Sequence, residues 1–221
     1  MRKYYEAYDE RYKAVHKKNL RCMGYSPSEI VLDTVKKHGV SLQDTILEIG
    51  CGEGRDSICL LEKGYDLSAT DVSQEAVSYC KAQYKKFAES FSVLDAVNGT
   101  LDKRFNFIYS VAVIHMLVPY EDRRAFYSFI KNHLTEKGIS LICTMGDGTL
   151  ERKTDISVAF DLGERVCEGE KVLVAETSCR IVTSQAFEKE LKDAGFEIIE
   201  QGFTSVENHF PFMMYAVVKS K

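Results

Sequence analysis

Residues 46–57 read Ile-Leu-Glu-Ile-Gly-Cys-Gly-Glu-Gly-Arg-Asp-Ser. An apolar run carrying one acid, Glu48, leads into glycines at 50, 52 and 54, and helix-compatible residues follow at once. Glycine lets the chain turn sharply and lets a ligand approach the main chain with no Cβ in the way. The N-terminus of the following helix offers unpaired N–H groups to a polar ligand. The spacing narrows the choice of ligand. A dinucleotide fingerprint needs Gly-x-Gly-x-x-Gly, and here the sixth position is Arg55. No Gly-Lys-Ser/Thr follows, so a P-loop is excluded as well. Glu48 would be poorly placed beside a pyrophosphate and well placed to hold a cation. A ligand with an ammonium group fits this strand end better than a dinucleotide.

Two more acids stand at comparable points. Asp71 ends an apolar run in Ala69-Thr-Asp-Val-Ser73, and Asp95 ends another in Ser92-Val-Leu-Asp-Ala96. If these are successive strands of a parallel sheet, Glu48, Asp71 and Asp95 share one edge and converge on one crevice. His115 lies near the end of the run Phe105–Met116, after the predicted fourth strand, and is a candidate base, since its ordinary pKa suits proton transfer. Packing at a strand–helix junction is the competing reading for it. Asp147 and His209 are weaker candidates. His16, His38 and His133 fall in helical contexts and read as structural. The histidines and cysteines show no metal-ligand spacing, and no metal is expected.

The elements that must position these residues follow from periodicity. The first forty residues read as helical, with Tyr4, Tyr8, Tyr12 and Val15 at helical spacing. Ser26-Pro27-Ser28-Glu29 predicts a second helix start with Ser26 as N-cap, and Gly39 its C-terminal stop. Strands are predicted at 45–49, 66–70, 91–94, 105–110, 139–144, 196–200 and 213–218, and helices at 55–63, 74–87, 121–134 and 184–194. Only Val97–Arg104 separates the third and fourth strands, too little for a full crossover helix. The alternation predicts an α/β, Rossmann-like doubly wound sheet of seven strands. The gap between the last two strands has no helical pattern, so one strand near the C-terminus is expected to run antiparallel. The chain reads as a single domain over 1–221, with a helical cap at 1–40 and an insertion at 146–183 that is expected to cover the substrate. A plain surface hairpin is the other reading of that insertion.

Composition bounds the function. The 221 residues carry 45% hydrophobic and 28% charged residues, the balance of a soluble globular protein. No run approaches the roughly 20 apolar residues of a membrane span, and the N-terminus lacks a secretory core. A cytoplasmic protein without membrane partners is expected. Seven cysteines, an odd number with no Cys-x-x-Cys, read as free thiols. The net charge is −4 and the basic pairs are scattered, which disfavours a nucleic-acid partner.

The segment around the glycines resembles the first motif of the class I S-adenosylmethionine-dependent methyltransferases, in particular their small-molecule branches, and the resemblance extends over roughly residues 45–145. It implies that Glu48, Gly50, Cys51, Gly52, Gly54 and Arg55 wrap the methionine portion of S-adenosylmethionine. It further implies that Asp71 holds the ribose, Val72 packs on adenine, Asp95 and the Ala96 N–H meet the adenine edge, and Ser110–Val113 line the methionine end. Methyl transfer to a small-molecule acceptor, with S-adenosylhomocysteine as product and a monomer or homodimer as the working form, is the expectation. An RNA or protein methyltransferase and a non-catalytic S-adenosylmethionine-binding protein stay open beside it. Methyl transfer from a sulfonium needs alignment and desolvation more than a fixed catalytic residue.

Overall fold

The computed structural model describes residues 2–206 and 210–221. Its centre is a seven-stranded sheet built from β1 (Thr45–Ile49), β2 (Asp66–Asp71), β3 (Phe91–Val93), β4 (Phe105–Val111), β5 (Leu134–Met145), β10 (Phe196–Val206) and β11 (Phe210–Ser220). The spatial order is β10-β11-β5-β4-β1-β2-β3. Strands β1 to β5 pair in parallel, and β11 runs antiparallel to both β5 and β10. This is the Rossmann-like sheet with one reversed strand expected from the sequence.

Among the described residues six α-helices accompany it: α1 (Ala7–His16), α2 (Glu29–Lys37), α3 (Arg55–Glu62), α4 (Gln74–Gln83), α5 (Tyr120–His133) and α6 (Ser184–Asp193). Both faces of the sheet are covered. Leu47, Ile108 and Ile142 pack with Phe126, Ile130 and Leu191 on one side, while Ile46, Phe107 and Leu141 pack with Val31, Leu60 and Val77 on the other. Helix starts follow local chemistry. Ser73 Oγ accepts from Ala76 N, and Thr183 Oγ accepts from Ala186 N, so each caps its helix. No helix among the described residues is long and apolar enough to cross a membrane.

Several boundaries differ from the sequence reading. Helix α2 begins at Glu29, with Ser28 at the cap position, so Ser26 and Pro27 lie outside it. Ser28 does not cap through its side chain; its N–H and hydroxyl both donate to Asp56, at 2.6 and 2.9 Å. Helix α4 ends at Gln83 because Tyr84 leaves helical geometry (φ −115°, ψ 59°), and a 3₁₀ segment follows over Lys85–Ser90. No helix occupies Val97–Arg104. The first forty residues form two separate helices, with 17–28 between them non-helical.

The stretch 146–183 holds a small antiparallel pair, β6 (Arg152–Lys153) with β9 (Arg180–Ile181), and a hairpin of β7 (Leu162–Cys167) with β8 (Glu170–Ala175). The apolar face of the hairpin, Cys167, Val172 and Val174, packs on Val15 of α1 and on Leu20 and Cys22 beyond it. A second contact joins Ala159 and Ala175 to Ala7.

Candidate active site

The glycine loop leaves β1 and turns into α3. Gly50, Gly52 and Gly54 have φ of +81°, +52° and +79°, the left-handed region that an L side chain rarely adopts. Gly50 N and Cys51 N both donate to Thr70 O, at 2.7 and 2.8 Å, which fixes the turn to β2. Close approach adds a second requirement. A Cβ at Gly50 would lie 2.3 Å from Val113 Cγ2, and one at Gly52 would lie 2.7 Å from the Tyr12 hydroxyl.

Asp71 sits beneath this loop. Gly52 N donates to its Oδ2 and Ser73 N to its Oδ1, each at 2.8 Å. Burial pushes its carboxyl up, and the two N–H groups oppose that. A carboxylate has about four acceptor positions, so Asp71 retains capacity for a diol. Asp95 is more heavily engaged. It accepts from the Tyr5 hydroxyl (3.0 Å), from Asn98 Nδ2 (2.8 Å) and from Val97 N (2.9 Å).

Glu48, 3% exposed, accepts a short hydrogen bond from the Ser57 hydroxyl. Burial and the neighbouring Asp56 raise its carboxyl to about 8. Its bonded partner is therefore on α3, at the root of the loop. Arg55 is turned the same way: its guanidinium donates to the Ser28 hydroxyl at 2.6 Å and to Asp56 at 3.0 Å. These groups brace the loop against α2 and α3.

A cavity of about 690 Å³ opens at the C-terminal edge of the parallel strands, within the size range of small-molecule sites. Glu48, Asp71 and Asp95 all line it, as do Gly50, Cys51, Gly52, Arg55, Val72, Ala96 and His115. Two sequence-derived residues do not. Gly54 lies behind the loop, where a Cβ would meet Tyr84 and Cys80 at 3.0 and 3.1 Å, so it serves packing. Ser110 is fully buried with its hydroxyl unpartnered; strand alternation turns it away, and Val111, Ala112 and Val113 form the wall instead. Ala112 has φ +60°, an uncommon conformation for alanine that marks the sharp exit from β4.

His115 is 3% exposed, set edge-on to Phe210, and its Nδ1 is buried without a hydrogen-bond partner. Burial alone lowers its pKa to about 4, so the ring is neutral at physiological pH. Two other histidines have structural partners: His133 accepts from Leu101 N at 3.0 Å, and His38 meets Glu200 at 2.9 Å. Asp147 is exposed and binds Thr149 and Leu150 N–H groups in its own turn, away from the cavity lining. His209 lies outside the described residues. Among the described residues no cluster of histidine, cysteine or acid could hold a metal.

The sequence reading passed over the strongest anchor of the site. Glu53, between two of the glycines, is 2% exposed. Its carboxylate accepts from Cys22 N at 2.9 Å and Met23 N at 3.0 Å, and it meets His16 Nε2 at 3.0 Å. Arg21 Nε stands 3.8 Å away. The other His16 nitrogen meets Glu75 at 2.9 Å, and the ring stacks on Tyr79. Burial works against the imidazolium, but the two carboxylates outweigh it and raise the His16 pKa. Tyr5, Tyr8, Arg11 and Tyr12 from the N-terminal segment complete the cavity wall. The one sequence signal for this was the tyrosine spacing; that Glu53 receives residues 16–23 depends on tertiary contacts.

Comparison with known proteins agrees with this geometry. Residues 46–138 match the family model described as a methyltransferase domain. The chain is 27% identical over 123 residues to a probable S-adenosyl-L-methionine-dependent methyltransferase, TehB, of Haemophilus influenzae; the match covers 53% of this chain and spans 42% of that relative's length. Among solved structures, the CcbJ methyltransferase from Streptomyces caelestis superposes with a TM-score of 0.72 at 11% identity, over 99% of both chains. The 1,6-didemethyltoxoflavin-N1-methyltransferase of Burkholderia thailandensis, with 1,6-didemethyltoxoflavin and S-adenosylhomocysteine bound, superposes with a TM-score of 0.64 at 14% identity, over 86% of this chain and 76% of that one. In its strand order, its glycine loop and these matches, the chain is similar to S-adenosylmethionine-dependent methyltransferases with a Rossmann-like fold.

Proposed function

We propose that this protein transfers the methyl group of S-adenosylmethionine to a small-molecule acceptor, releasing S-adenosylhomocysteine. The observation that carries the reading is the convergence of Asp71, the glycine loop and His115 on one cavity. The residues present fit the cofactor. Asp71 keeps acceptor capacity for the ribose diol, and Val72, Leu94, Ala96 and Leu117 supply apolar surface for the base. Gly50, Cys51 and Gly52 bring main chain against the methionine portion. Asp95 holds the adenine end partly through Tyr5, which it ties down. Glu48 and Arg55 line the cavity while bracing the loop, and Gly54 packs behind it.

When bound, the cofactor supplies a methyl group already activated by the sulfonium charge, so the protein contributes alignment and exclusion of water. His115 is the polar group on the acceptor side. Its unpaired, neutral ring offers the acceptor a hydrogen bond in an apolar setting, a role suited to a partner held in place rather than to a strong base. The stretch 146–183 contributes Arg152, Thr154, Val166, Thr177 and Cys179 to the same cavity; we assign it to acceptor binding. Net charge −4 favours a small molecule over RNA.

The test is methyl-labelled S-adenosylmethionine incubated with fractionated cell extract. Label in the small-molecule fraction, insensitive to salt, is expected. Label confined to RNA or protein, falling steeply with salt, would overturn the acceptor class.

A further inference from the structure

The hairpin of β7 and β8 has its apolar cluster with α1 and the segment after it, not with the seven-stranded sheet: the cluster joins Cys167, Val172 and Val174 to Val15. Arg11 of α1 reaches the exit of β8. Its Nε and Nη2 donate to Ala175 O at 3.1 and 2.8 Å, and Nη2 also donates to Glu176 O at 2.7 Å and to the Thr177 hydroxyl at 2.9 Å. All these acceptors lie on three consecutive residues.

That segment is strained. Thr177 has φ +64°, unfavourable for a β-branched residue. Its N–H donates to Ala159 O at 2.8 Å, and Ser178 Oγ donates to Met116 O at 2.7 Å, beside His115. The strained turn thus adjoins the acceptor side of the cavity. The same helix α1 is joined to the cofactor side by polar bonds. Asp9 Oδ1 accepts from Ser73 Oγ at 2.7 Å and from Glu75 N at 2.9 Å, and His16 meets Glu53 in the glycine loop. Tyr12 lies over Gly52.

We infer that Arg11 is a positioning residue that couples filling of the cofactor side to ordering of the acceptor wall, residues 159–178, so that the cofactor binds first and the acceptor second. The inference rests on the proposed function, since it needs S-adenosylmethionine or its product beneath α1. A bound cofactor fixes Tyr5 and Tyr12, and with them α1. Arg11 then holds the Ala175–Thr177 turn in its strained form, and the hairpin follows through its apolar contact with Val15.

Amide hydrogen exchange with S-adenosylhomocysteine as the probe tests this in the wild type, in Arg11→Ala and in Arg11→Lys. In the wild type, saturating probe should slow exchange at 50–54 and, by roughly tenfold, across 159–178. In Arg11→Ala the slowing at 50–54 should persist while the increment at 159–178 falls below about twofold. Arg11→Lys, whose single ammonium cannot span three acceptors, should restore only part of it. A purely structural arginine would change exchange at 159–178 equally with and without probe, and direct contact of the probe with the hairpin would survive the substitution; either result overturns the coupling. Slowing at 50–54 with none at 159–178 in the wild type overturns it without any variant. No slowing at 50–54 would sink the proposed function and the coupling with it.

Discussion

Glu53→Gln is the perturbation most closely specified by the structure. The carboxylate receives Cys22 N and Met23 N on different oxygens, meets His16 on the Cys22 side, and faces Arg21 at 3.8 Å. Glutamine keeps one acceptor oxygen. Its amide NH₂ must then point at a backbone N–H, so at least one buried donor is left unpaired, and the charge opposite His16 and Arg21 disappears. An unpaired buried donor costs about 1–3 kcal/mol, and a hydrogen bond to a charged group contributes about 1.5–3 kcal/mol. Because the two losses overlap, a destabilisation of roughly 2–4 kcal/mol is expected. At about 2–4 °C per kcal/mol for a domain of this size, the melting temperature should fall by roughly 4–16 °C. Urea unfolding at pH 7 reads it as a lower midpoint with an unchanged slope. A change under about 0.5 kcal/mol in a folded variant would refute the argument that Glu53 anchors residues 16–23 to the glycine loop.

Other perturbations follow from the same geometry. Glu48 has a folded pKa near 8, above its ordinary 4.5. The fold therefore favours its protonated form, and that contribution, full below about pH 4.5, is lost as the pH climbs toward 8. Glu48→Gln should flatten the decline of stability between pH 5 and 8 by up to about 1.4 kcal/mol per unit, measured as urea midpoints across that range; an unaltered slope would refute the assignment. The raised pKa of His16 gives a slope of the same sign, present below its ordinary 6.5 and lost as the pH rises through the higher folded value, and His16→Gln removes it. Asp71→Asn should weaken S-adenosylhomocysteine binding by about 1–3 kcal/mol, roughly 5- to 150-fold. Unchanged affinity in calorimetry would remove the ribose role.

Most of the framework was legible because strand β1 and the loop after it carry local signals. Thr45–Ile49 is an apolar run between polar residues, and the glycines need their left-handed φ wherever the chain goes. Longer strands were underestimated where one face is exposed. Strand β10 extends through Gln201-Gly202-Phe203-Thr204 to Val206, a polar-apolar mixture that reads as loop, since Phe203 stands on the surface at 64% exposure. Strand β5 starts at Leu134 because Phe105 pairs with it, a tertiary contact across charged residues 136–137. In the site, Asp71 and Asp95 could be found from their places at strand ends. Ser110 was misplaced by one step of strand alternation, which reverses the face a side chain occupies. Glu53 and Arg11 were passed over because their partners lie 30 or more positions away in sequence, several of them main-chain groups, and no spacing rule reaches them.

The central claim is that this cavity is shaped for a nucleoside joined to an amino acid, not for a dinucleotide. Calorimetric titration with S-adenosylhomocysteine and separately with NAD tests it most directly. The account predicts saturable binding of S-adenosylhomocysteine and no heat from NAD. Binding of NAD with none of S-adenosylhomocysteine would contradict it.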